Sequence, residues 1–116
     1  MDLEQFREYC LSKGIATESM PFGEGVLVFK VAGKIFALAA LDEIPATVNL
    51  KCDPDLALAL RDRYEQVQPG YHMNKKHWNT IIVDGTLSSG QIREMIDESY
   101  TLVVRSLPLK ERKKLL

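Results

Sequence analysis

The sequence predicts an α+β fold of two layers, an antiparallel β-sheet backed by helices. Apolar residues recur with helical spacing near both ends of the 116-residue chain and with a period of two through much of its middle. The strands are grouped together rather than alternating one by one with helices, which favours helices on one sheet face and leaves the other free. Hydrophobic residues make up 46% of the chain, enough for one core without a disulfide or metal, so residues 1–116 read as a single domain.

The first helix starts at Asp2, whose spacing from Gln5 suits a reciprocal cap. Leu3, Phe6 and Cys10 share its inner face, and Gly14 can stop it. From Thr17 the period changes to two. Met20-Pro21-Phe22-Gly23 closes a short strand or turn, and Val26–Val31 and Lys34–Leu41 form a hairpin across Ala32-Gly33. Thr47–Cys52 alternates, with Val48, Leu50 and Cys52 on one face and Thr47, Asn49 and Lys51 on the other. Asp53-Pro54-Asp55 opens a helix running to about Tyr64: an N-cap, a proline at N1 and acids in the first turn. Gln68–His77 is a polar loop leading into a strand at Trp78–Val83. Ser88 caps a long helix with Ile92, Met95, Ile96, Ser99, Leu102, Val103 and Leu107 along its core stripe; Pro108 ends it, and Leu109–Leu116 is a basic amphipathic tail. Ser99 is expected to face the core and bond back to a carbonyl of its own helix.

The net charge of −1 predicts no polyanion partner by itself, but the charge is unevenly spread. Residues 1–69 hold 7 basic and 11 acidic side chains, and residues 70–116 hold 8 and 5, which leaves room for a local basic face. Cys10 and Cys52 sit at apolar-periodic positions and read as reduced core thiols; two cysteines alone make no structural zinc site. No apolar run approaches about 18 residues and no leader pattern opens the chain, so the expected location is cytoplasmic, without membrane contact.

Several blocks together resemble the MmcQ/YjbR-like family. They are Pro21-Phe22-Gly23 with Val28-Phe29-Lys30-Val31-Ala32-Gly33-Lys34-Ile35-Phe36-Ala37, then Leu50-Lys51-Cys52-Asp53-Pro54. Pro69-Gly70-Tyr71-His72-Met73-Asn74-Lys75-Lys76-His77-Trp78 follows, and Asp97-Glu98-Ser99-Tyr100 with Leu107-Pro108-Leu109-Lys110 closes the series. The resemblance spans nearly the whole chain. It implies a frataxin-like (CyaY-like) arrangement of sheet and helices and a bacterial DNA-binding role through a double-wing motif.

The residues themselves offer candidates for such a role. Lys75 and Lys76 precede His77 and Trp78 on a loop, so two ammonium groups beside an indole could meet phosphate and stack a base. The same residues also suit a bland reading, with Trp78 in the core and the lysines solvated. Lys30, Lys34 and Lys51 come from separate strands; with Tyr71 they complete a basic sheet-and-loop face if their sides coincide. The alternative is ordinary surface lysines around a shallow pocket for a protein or small ligand, lined by Val26, Val28, Phe36 or Tyr71. His72 and His77 lack metal-ligand companions, and Gly23-Glu24-Gly25 and Ser88-Ser89-Gly90 are turns and caps rather than phosphate loops. Helix one carries only Asp2, Glu4 and Glu8 outward, too few for an iron-binding ridge. The expectation is therefore a non-catalytic protein without cofactor or metal. Its expected partner is double-stranded DNA, with a protein partner as the alternative, and it is expected to act as a monomer or weak dimer.

Overall fold

Asp2 opens helix α1 (Leu3–Leu11) with the reciprocal cap its spacing predicts: its carboxylate accepts the Gln5 N–H, and the Gln5 side chain accepts the Asp2 N–H. Ser88 and Gln91 repeat the device at α3 (Ser89–Arg105), and Asp53 caps α2 (Pro54–Arg63) by accepting from Asp55 and Leu56. The computed structural model, which describes residues 1–115, adds strands β1 (Thr17–Ser19), β2 (Val26–Val31), β3 (Lys34–Ala40), β4 (Ala46–Lys51), β5 (Val67–Pro69) and β6 (Trp78–Val83), and a final short helix α4 (Leu109–Lys113). Leu116, the end of the expected basic tail, lies outside the described residues.

The six strands form one antiparallel sheet in the order β1-β2-β3-β4-β6-β5. β5 falls where the sequence suggests only loop. Three residues carry too little periodicity to announce a strand, and pairing with Asn79, Thr80 and Ile81 of β6 makes it. β5 and β1 are the two edges, each three residues long. In the β2–β3 hairpin both turn residues have positive φ, 49° at Ala32 and 79° at Gly33, as a tight hairpin turn requires.

Alternation sorts the side chains. Phe29, Ala37, Ala39, Val48, Leu50 and Ile81 face α1 and α3 and form the core with Phe6, Cys10, Ile92, Ile96 and Val103. Phe36 joins them through a bulge: Phe29 pairs with Ala37 and Lys30 with Ile35, leaving Phe36 unopposed. Its ring lies edge-on to Tyr100, with centroids 5.3 Å apart.

The bulge also decides the role of Ser99. β3–β4 pairing stops at Ala37 and Leu50, which would strand the Phe36 carbonyl and the Lys51 N–H inside the molecule. The fully buried Ser99 hydroxyl accepts from Lys51 N at 2.9 Å and donates to Phe36 O. Ser99 does face the core, but its bond crosses to the sheet rather than returning to its own helix. The carbonyls of α3 already have N–H partners; the two strand groups did not.

Both cysteines are buried free thiols. Burial pushes Cys10 up to about 12, and burial with the nearby carboxylates of Glu98 and Asp53 pushes Cys52 up to about 11, against an ordinary 9.0. A raised value in the folded state means that folding holds the proton. This contribution is complete below about pH 9 and is lost as pH rises toward 11–12. Two results are expected: negligible alkylation of either thiol at pH 8 without denaturant, and a urea midpoint that falls between pH 8 and pH 10 by less in a Cys10→Ala/Cys52→Ala variant.

Candidate functional site

The face of the sheet away from α1 and α3 is where the candidate residues meet. Register places Val26, Ala40, Thr47 and Ile82 in one row across it, and Val28, Leu38, Asn49, Thr80 and Gln68 in the next. A further row toward one end holds Lys30, Ile35, Lys51 and Trp78, since Lys30 pairs with Ile35 and Lys51 with Trp78. Lys30 and Lys51 therefore share a face, so for these two the condition left open by the sequence is met. Lys34 does not: it opposes Val31, a core residue, and leaves the hairpin tip on the other side. It still lies at the same end of the sheet.

Lys75 and Lys76 join that end through the loop between β5 and β6. The loop is a fixed structure. Trp78 N–H and His77 N–H both reach the Asn74 carbonyl, the Asn74 side chain accepts from Lys76 N, and the His77 carbonyl accepts from Cys52 N at 2.8 Å. Gly70 is required: a Cβ there would stand 2.8 Å from the Trp78 Cβ. The loop is clamped from α2 by Arg61, whose guanidinium donates to Asn79 Oδ1 at 2.7 Å, to Trp78 O at 3.2 Å and to Lys75 O. Nothing in the helical pattern around Arg61 marks it for this role.

Five ammonium groups, on Lys30, Lys34, Lys51, Lys75 and Lys76, thus lie at one end of four adjacent strands. Three strand spacings cover roughly 14 Å. Among the described residues none of the five makes an ion pair. Asp53, beside Lys51, is turned to cap α2. Lys75 spends one donor on the Gly70 carbonyl at 2.8 Å and keeps two. Trp78 is half-buried on the same face, neither fully in the core nor free, and His77 is half-buried beside it.

The rest of the face is concave. Three loops rise around it, carrying Phe22, then Asp42 and Glu43, then Tyr71, His72 and Met73, and enclose a hollow of about 830 Å³. Its floor is Leu38, Thr47, Asn49 and Thr80. The Thr80 hydroxyl accepts from Tyr71 N at 2.8 Å and donates to Asn49 Oδ1 at 2.6 Å, tying the third loop to the floor. His72 has φ 60°, a left-handed conformation uncommon outside glycine, and its ring lies 4.0 Å from that of Tyr71. Of the pocket residues expected from sequence, Val26 and Tyr71 do line the hollow; Val28 is wholly buried and Phe36 belongs to the opposite face. A second, smaller hollow of about 330 Å³ lies between α2 and α3, edged by Tyr64, Glu94 and Glu98. Of the candidate binding residues it contains only Lys51, whose alternation carries its side chain to the other face.

A family model described as YjbR matches residues 11–102. The chain is 35% identical over 113 residues to the uncharacterized protein YjbR of Escherichia coli K12, covering 97% of this chain and 96% of that one. It is 41% identical over 95 residues to the uncharacterized protein YbdF of Escherichia coli O157:H7, covering 81% and 77%. The crystal structure of Deinococcus radiodurans protein DR2400, family-model domain DUF419, superposes with a TM-score of 0.93 at 34% identity, covering 98% of this chain and 87% of that one. A Pseudomonas syringae crystal structure superposes at 0.77 and 29%, covering 88% and 98%.

Proposed function

We propose that this chain, which belongs to the YjbR family, is a non-catalytic DNA-binding protein that holds the phosphate backbone on the lysine-bearing end of its sheet. The observation supporting this is the convergence onto one end of the fold of five ammonium groups, from four segments, that form no ion pair among the described residues. Lysine supplies the sequence-independent charge term of such binding, and the Trp78 ring between Lys51 and the loop lysines gives a surface on which a base can rest. Two buried, unpaired thiols suit a reducing compartment, and the proposal places the protein in the cytoplasm. No helix among the described residues is long and apolar enough to cross a membrane.

The test is fluorescence anisotropy with labelled duplex and single-stranded DNA between 50 and 200 mM salt. If all five lysines reach phosphates, the log–log slope approaches about −4.5 on duplex. A Lys75→Ala/Lys76→Ala variant should flatten it by about 1.8. Absence of binding at the lowest salt, or a slope unmoved by the double substitution, refutes the reading. The hollow favours a second reading, a module for a small ligand or protein segment; such a module would ignore DNA at low salt.

A further inference from the structure

We infer that the hollow on the sheet face receives one unstacked nucleobase, and that its hydrogen-bonding pattern selects guanine. For a base within a strand this rests on the phosphate-binding reading above; for a free nucleotide it does not.

The size is suitable. Small-molecule sites span roughly 300–1,000 Å³, and the 830 Å³ here holds a base with its sugar. The position is suitable too, because the hollow adjoins the row carrying Lys30 and Lys51 on the same face. A strand with its phosphates on those ammonium groups would carry a neighbouring base over the floor. A base stacked and paired in a duplex could not turn into it.

The polar groups specify more. Thr80 gives its proton to Asn49 Oδ1, so the carboxamide oxygen of Asn49 already has a partner and its orientation is set. The Nδ2 group has no partner among the described residues, which leaves a donor at the half-buried floor. On the rim, the Asp42 carboxylate leans over the start of β2, where Gly25 makes space: a Cβ there would stand 2.6 Å from Oδ2. Asp42 forms no ion pair among the described residues and offers acceptors only. A ligand must then turn an acceptor toward Asn49 and donors toward Asp42. Guanine presents O6 and N7 as acceptors and, on the adjoining edge, N1–H and N2–H as parallel donors that match a carboxylate. Adenine and cytosine place an acceptor beside their amine, and thymine has a single N–H between two carbonyls. An organic cation would suit the carboxylates of Asp42 and Glu43 but would leave the amide donors of Asn49 unmatched. The rings of Phe22 and Tyr71, 66% and 68% exposed, stand on opposite loops of the rim as stacking surfaces.

The experiment compares labelled decamers of thymidine with a central guanine, a central inosine or neither, at 50 mM salt, on wild type, Asp42→Asn and Lys75→Ala/Lys76→Ala. A parallel arm follows the amide signals of Thr80, Tyr71 and the Asn49 side chain by NMR as guanosine monophosphate or thymidine monophosphate is added. One guanine should tighten binding about tenfold, and inosine, lacking the N2 amine, should lose most of that gain. Asp42→Asn should erase the guanine preference without weakening oligothymidine binding, while the double lysine variant should weaken all three decamers alike. Equal binding of all three decamers overturns the base site and leaves the phosphate reading standing. Guanosine monophosphate shifting the three signals while no decamer binds supports the base site for a free nucleotide. No response in either arm removes the base site, and the phosphate reading is then decided by the duplex titration.

Discussion

Phe36→Ala lowers the unfolding free energy by about 3–5 kcal/mol, seen as a lower urea midpoint with an unchanged slope. The ring is wholly buried and packs against Phe29 at 6.5 Å and Tyr100 at 5.3 Å. Its removal leaves a hole that neighbours anchored on β2 and α3 cannot fill by small shifts. The bulge adds a reason specific to this position. Phe36 and Ala37 both turn inward because one residue of β3 is unopposed, and the large ring is what secures that extra residue. With total stabilities of about 5–15 kcal/mol for domains of this kind, the variant should still fold at room temperature. A loss below about 1 kcal/mol would mean that the bulge relaxes into regular pairing.

Arg61→Ala is expected to cost about 2–3 kcal/mol of stability and, separately, to weaken the proposed DNA binding as much as the double substitution of Lys75 and Lys76. Arg61 is the donor for Asn79 Oδ1, an amide only 2% exposed, for the Lys75 carbonyl in the loop carrying both lysines, and for the Trp78 carbonyl where that loop enters β6. Without it the amide oxygen is stranded and the loop loses its clamp to α2. Lysine at this position should recover part of the stability but little of the binding, because an ammonium group cannot reproduce the planar fork. Hydrogen exchange at Lys75–Trp78 is the deciding measurement: unchanged protection there would contradict the clamp.

Much of the fold is readable in the chain because its cues are local. The caps at Asp2, Asp53 and Ser88, the Ala32-Gly33 turn and the alternation of Thr47–Lys51 act within a few residues, and each appears where expected. β5 and the Phe36 bulge are not local. Three residues become a strand only because β6 lies beside them, and a bulge exists only relative to a partner strand. The site divides in the same way. The period of two gives Lys30 and Lys51 a side on their own strands, but only the strand order makes those sides coincide, and Lys34 lies on the other side because the bulge and the hairpin turn intervene. The Thr80–Asn49 bond and the Arg61 clamp join residues 31 and 18 positions apart, distances over which no sequence pattern speaks.

The brevity of β1 and β5 limits how this molecule can be met by others. An incoming peptide extending the sheet would find three residues at either border, and at β5 one of them is Pro69, which has no N–H to offer. Strand addition there stops almost as soon as it starts, which also deprives self-templated assembly of a foothold. Recognition is left to the broad surface of the sheet and the loops that overhang it.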